Sequence, residues 1–220
     1  VFVGDLLDGR VPGRKHFDAD SVRLDFLANL KSYVNHGLSV AESLFRPLSK
    51  AGVPLVCVSG NHDEYLEEIG LTAALVKELG GSARYLGGEG FIRVRTGRRG
   101  QAYTTKIYAT HAYGGGRRAG GKVNNMQATY EWVDADVVLA GHVHDGDIRI
   151  IPAYSVPEKG TLSLIKTPRV MYRAPSFVQR AVEGSVAYSG KKSLPSTDEG
   201  LVYVRLDPQE RRAVRYECEF

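Results

Sequence analysis

Val53-Pro54-Leu55-Val56-Cys57-Val58-Ser59-Gly60-Asn61-His62-Asp63-Glu64 is an apolar run rich in β-branched residues that breaks abruptly into a polar turn. The run from Val53 to Val58 has the length and composition of a continuous, buried strand, and Asn61 follows at its end. The same unit recurs along the chain. Val1 to Val3 is a strand end that feeds Gly4-Asp5-Leu6-Leu7-Asp8, Tyr103 to Ala109 leads to Thr110-His111, and Asp136 to Ala140 leads to Gly141-His142-Val143-His144. Between these strands the apolar spacing turns helical. Asp18 to Val34 carries Val22, Phe26, Leu27, Leu30 and Val34 on one face. After Gly37, Leu38 to Lys50 carries Ala41, Leu44, Phe45 and Leu48, with Gly52 as its stop. Tyr65 to Leu79 is a further helix closed by Gly80-Gly81, and Met126 to Val133 a short one. Phe91 to Val94 pairs with Tyr103 to Ala109 around Gly97-Arg98-Arg99-Gly100. Beyond His144 strands dominate, at Ile148 to Ile151, Leu162 to Ile165, Val170 to Tyr172, Leu201 to Leu206 and Arg212 to Cys218, and an antiparallel arrangement is expected there. The class is α/β, and the polar turns stand at strand ends, where open α/β sheets bind their ligands.

The residue types in these turns suit a pair of divalent cations. Two such ions, roughly 3.5–4 Å apart, need a shared anionic oxygen, neutral imidazole and amide donors around them, and open positions for water and a phosphate. Asp5 can bridge. Asn61 offers a neutral carbonyl oxygen that leaves the centre net positive, and His111, His142 and His144 are the imidazole donors. His62 is suited to donate a proton to a departing alkoxide, with Asp8 fixing its tautomer. His16 and His36 lack neighbouring donors in sequence and read as surface residues.

In order, Gly4-Asp5-x-x-Asp8, Gly60-Asn61-His62-Asp63, Thr110-His111 and Gly141-His142-x-His144 resemble the motifs of the calcineurin-like metallophosphoesterase family. The resemblance implies a four-layer α/β/β/α sandwich of two mixed sheets flanked by helices, formed by residues 1–220 as a single domain. It implies that Asp5 bridges two metal ions, that Asn61, His111 and His142 complete one site, and that His144 belongs to the other. His62 becomes the catalytic acid or phosphate contact, with Asp8 as its orienting partner. Mn²⁺ is the metal the resemblance favours, ahead of Fe, Zn, Ni or Co. The family's first motif, Asp-x-His, is absent, since no Asp precedes any histidine by two positions. A chain lacking the family's first strand, and so part of a longer product, is expected. The segment from His111 to Asn124 more loosely resembles phage and prophage members.

The chain has 220 residues, 43% of them hydrophobic, enough for a substantial core. No run approaches the ~18 apolar residues of a membrane span. Cys57 and Cys218 form no disulfide framework, and a reducing cytoplasm is the expected compartment. A net charge of +4 and a pI near 9.0 favour anionic partners. Arg117, Arg118 and Lys122, on the glycine-rich loop after His111, and Arg10 after Asp8 are candidate phosphate contacts; a solvated surface loop is the alternative for each. Arg93, Arg95, Arg98 and Arg99 read as an exposed hairpin face, and Tyr103, Tyr108, Tyr113 and Tyr130 as packing residues more than base-stacking ones. The expected activity is hydrolysis of a phosphoester by a metal-activated water, with nucleic acid or nucleotide diesters as substrates. A phosphomonoesterase, or a non-catalytic module that binds polyanions, is the alternative.

Overall fold

The computed structural model describes residues 1–6, 30–63, 70–98, 102–112, 124, 127–129, 131–144, 146–155, 165–166, 169–175, 200–207 and 212–219. These divide into two compact units, one containing Val1–Gly90 and the other Phe91–Phe177 with Asp198–Phe220.

In the first unit β1 (Phe2–Val3), β2 (Val56–Val58) and β3 (Arg84–Tyr85) form a parallel sheet in that order, with Phe2 opposite Cys57 and Cys57 opposite Tyr85. Because β1 and β2 run the same way, the turns that follow them leave from the same end. Helices α1 (Leu30–Lys50) and α2 (Leu71–Leu79) cover this sheet, and Ala41, Leu55, Cys57, Leu75, Val76, Leu79 and Ala83 form its core. Phe2 and Phe45 meet edge to face with ring centroids 4.5 Å apart, which seats α1 on β1. Ser49 Oγ donates to the Leu79 carbonyl at 3.1 Å and joins the two helix ends.

Three sequence expectations shift here. Gly37 does not interrupt the helix; α1 runs through it, because one glycine costs only about 1 kcal/mol and the inward face continues from Leu38 through Ala41 to Phe45. Leu44 and Leu48, expected on that face, are exposed. The strand expected from Val53 starts at Val56 instead. At the end of α1 the Val53 N–H bonds the Leu48 carbonyl and the Gly52 N–H bonds the Ser49 carbonyl, both at 3.0 Å, with Gly52 at φ +74°. This Schellman closure uses Val53 for the helix stop. The stop at Gly80, also at positive φ, is as expected. Residues 18–29 and 65–69 of the expected helices lie outside the described residues.

In the second unit β4 (Glu89–Thr96), β5 (Tyr103–Thr110), β6 (Val137–Ala140), β7 (Asp147–Ile151) and β10 (Arg169–Arg173) form a sheet of order β4-β5-β6-β10-β7. The expected hairpin of β4 and β5 is present. β5, β6 and β10 are parallel, and β7 is antiparallel to β10. The chain beyond His144 is therefore not purely antiparallel: β10 returns to lie beside β6. One sheet face buries Tyr108, Val133, Ala135, Val138 and Met171. The other buries Ile107, Val137, Val170 and Tyr172. Against that second cluster pack Val202, Val204 and Leu206 of β11 (Leu201–Asp207), which pairs antiparallel with β12 (Arg212–Glu219). A small ladder joins β8 (Tyr154–Ser155) to β9 (Ile165–Lys166), and 162–164 of the strand expected there lie outside the described residues. The α/β class with two principal sheets and flanking helices, expected from the sequence, is what the structure has. Among the described residues no helix is long and apolar enough to cross a membrane.

Candidate functional site

In the first unit the turns after β1 and β2 interlock. The Asp5 Oδ1 carboxylate oxygen accepts the His62 backbone N–H at 2.9 Å, so Asp5 caps the turn that carries Asn61 and His62. Gly60 permits that approach: a Cβ there would lie 2.1 Å from Asp5 Oδ1 and 2.2 Å from the Asp5 backbone nitrogen. Only a hydrogen fits. Asp63, 1% exposed, closes the turn from the other side. Its Oδ2 accepts the Gly60 N–H at 2.9 Å and the Thr72 hydroxyl at 2.8 Å, tying the turn to the first residues of α2. Sequence reasoning quoted Asp63 inside its motif but gave it no role and missed Thr72. The helix expected from Tyr65 puts Thr72 in its middle, so no sequence signal marked the contact.

In the second unit β5 and β6 end side by side, with Thr110 opposite Ala140. The residues that follow turn inward. His111 is 3% exposed, and its Nε2 lies 3.2 Å from His142 Nδ1, the two rings standing edge to face at 79°. The Thr110 hydroxyl accepts the Ala112 N–H at 3.0 Å, and the Thr110 carbonyl accepts the Gly141 N–H at 3.3 Å, which holds both turns against one another. His144 follows His142 by two residues in the same turn and is half-buried.

Two ring nitrogens 3.2 Å apart share either a proton or a cation. At a metal–nitrogen bond of about 2.1 Å they would subtend about 100°, between the octahedral and tetrahedral angles, so the pair fits a first-row divalent ion. Backbone strain marks the same places. Asp5 (φ 51°), Ala112 (φ 65°), His142 (φ 71°) and His144 (φ 62°) are the non-glycine residues with positive φ among those described. Each costs on the order of 1 kcal/mol, and such strain persists where surrounding contacts impose it, most often at functional sites.

Cys57, beneath this end of the first sheet, is a buried free thiol whose pKa burial pushes up to about 11. In the second unit the hydrogen bond from Lys106 holds the Asp134 carboxyl below its usual range. Tyr108 is a packing residue, its ring against Phe91 and Trp132. Arg93, Arg95, Arg98 and His36 are exposed, as expected. Asp8, Arg10, His16, Tyr113, Arg117, Arg118, Lys122 and Tyr130 lie outside the described residues.

No family model and no curated protein matches the chain. A solved structure similar to it is that of a double mutant of Vps29 from Entamoeba histolytica, at 12% identity and a TM-score of 0.38, over 94% of this chain and 84% of that one.

Proposed function

We propose that the chain is a metal-dependent phosphoester hydrolase of the calcineurin-like kind, acting on nucleic acid or nucleotide diesters. The observation that carries the reading is the convergence of His111 Nε2 and His142 Nδ1 at 3.2 Å, at the ends of two parallel strands. In this reading, carried over from the motifs, Asp5 is the anionic donor and Asn61, His111, His142 and His144 are the other ligands of divalent ions, Mn²⁺ foremost. Ions bound there would supply Lewis acidity toward phosphoryl oxygens and lower the pKa of a water.

The chain's own residues do the rest. Asp5 offers a carboxylate oxygen while its Oδ1 also holds the His62 backbone, so the anionic donor and the proton donor are fixed by one hydrogen bond. His62 delivers a proton to the departing alkoxide, with Asp8 orienting its ring. Asn61 adds an uncharged oxygen and so leaves positive charge for the phosphate. Arg10, Arg117, Arg118 and Lys122 contact the flanking phosphates, in keeping with the chain's net charge of +4.

The test is Mn²⁺ uptake together with hydrolysis of bis-p-nitrophenyl phosphate and p-nitrophenyl phosphate, by the wild type and by His142→Ala. The expected result is Mn²⁺-dependent diester cleavage that falls at least about a hundredfold in the variant, together with its metal uptake. Undiminished cleavage by His142→Ala sinks the assignment. Mn²⁺ uptake without turnover of either ester points to the polyanion-binding module instead.

A further inference from the structure

One face of the second unit's sheet carries three rings in contact. Phe91 lies 5.1 Å from Tyr108, and Trp132 lies 5.7 Å from the same ring, centroid to centroid. Tyr108 is buried with Val133, Val138 and Met171, whereas Phe91 is 53% and Trp132 64% exposed. Folding thus seats the two outer rings against a buried one and leaves most of each in water. Single exposed apolar side chains are ordinary; two large rings braced on a shared support form a patch, and such patches mark binding surfaces.

The charge around the patch has one sign. β4 alternates exposed Phe91, Arg93 and Arg95 with Ile92 and Val94, which pack on the opposite face with Ile107, Val137, Val170 and Tyr172. Side chains two apart on a strand share a face, so both arginines stand on the face of Phe91. Lys106, two residues before Tyr108 on β5, belongs to that face as well and bonds Asp134, which also takes Arg169. From Glu89 to Thr110 the chain has five basic residues and one acid, a net +4 that equals the net charge of all 220 residues. Within the hairpin, Arg95 and Thr110 stand at opposite ends, so the arginines lie away from the turn that carries His111.

We propose that this face binds single-stranded nucleic acid, with bases stacking on Phe91 and Trp132 and the guanidiniums of Arg93 and Arg95 pairing with the phosphates between and beside them. The two halves of the pattern select the partner together. Every unpaired base offers a flat face to an aromatic ring, and each nucleotide brings one anionic charge. A double helix keeps those faces inside its own stack, and an acidic peptide satisfies the arginines while giving the rings no flat partner. The inference rests on the hydrolase reading only for the use of the face, which would hold a polynucleotide substrate; the binding itself needs no metal.

The experiment is titration of the whole chain, in EDTA, with an oligothymidylate of about 12 nucleotides, read by anisotropy of the labelled strand and by tryptophan emission. Trp132 is the single tryptophan of the sequence, so its emission reports this face alone. The expected result is saturable quenching that tracks the anisotropy. The double variant Arg93→Ala, Arg95→Ala should bind at least about tenfold more weakly, with a plot of log affinity against log salt shallower by about 1.4. Phe91→Leu, which keeps an apolar contact with Tyr108 and loses the ring, should bind at least about fivefold more weakly. Binding without quenching, equal affinity for a duplex of the same length, or unchanged affinity in both variants overturns the proposal. Quenching by polyglutamate or by phosphatidylserine vesicles, with none by the oligonucleotide, overturns it in favour of a peptide or a lipid surface. Strand binding by a protein that cleaves neither bis-p-nitrophenyl phosphate nor p-nitrophenyl phosphate with Mn²⁺ upholds the face while removing the hydrolase reading, and cleavage without strand binding does the reverse.

Discussion

Gly60→Ala probes the interlock of the first unit's two turns, and its effect can be worked from the contacts. The added Cβ would meet the Asp5 nitrogen at 2.2 Å, whereas ordinary contact begins at 3.4 Å. A shift of about 1.2 Å would restore ordinary contact, and one of the three obstructing atoms is backbone that cannot swing aside. A separation of that size breaks the 2.9 Å bond from the His62 N–H to Asp5. Overpacking of this kind costs about 1–3 kcal/mol, and loss of a hydrogen bond to a carboxylate adds about 1.5–3 kcal/mol. At about 2–4 °C per kcal/mol for a protein of this size, the melting temperature should fall by roughly 5–25 °C. Mn²⁺ affinity should fall with it, because Asp5 is displaced. Gly88→Ala is the control: a Cβ there meets nothing within 4 Å and Gly88 has no positive φ, so its melting temperature should match or slightly exceed the wild type. Differential scanning calorimetry and a Mn²⁺ titration on both variants decide the matter. If Gly60→Ala melts and binds metal as Gly88→Ala does, the interlock is wrong.

Two further outcomes follow from the site. His144 sits at φ 62°, so His144→Gly should be more stable than His144→Ala by about 1 kcal/mol, glycine relieving strain that alanine keeps; equal unfolding midpoints in urea would refute the strained backbone. Burial raises the Cys57 thiol to about 11, so its contribution to stability is complete below the ordinary thiol value and is lost as pH climbs toward the raised one. Iodoacetamide at pH 8 should accordingly label Cys57 in the unfolded chain and leave it unmodified in the folded one, as peptide mass mapping would read.

What the sequence made legible was local. The apolar runs before Asn61, His111 and His142 were readable as strands because β-branched composition and a polar break coincide at each, and helix stops at Gly52 and Gly80 because only glycine takes the required backbone easily. What escaped it was either a sum of small effects or a long-range choice. Gly37 reads as a break, yet packing of Leu38, Ala41 and Phe45 outweighs its propensity. The return of β10 to the side of β6 left no mark, since an apolar strand carries no label for its partner. Thr72 and Asp63 form a contact between a turn and a helix start that no periodicity reports.

The late arrival of β10 sets an order of assembly. β5 and β6, once synthesised, can pair and bring His111 to His142, but until Arg169–Arg173 emerges β6 has an open edge with unsatisfied N–H and C=O groups. β7 is made before β10 yet hydrogen-bonds to the sheet through it, so the two are expected to dock as one antiparallel pair onto a waiting parallel strand, the slower kind of step for a growing chain. On this order the histidine pair would belong to the early part of folding and β10 to its completion. A nascent chain halted between β7 and β10 would present gathered imidazoles on an unfinished sheet edge, the form of this protein most exposed to capture of a stray metal or of another strand.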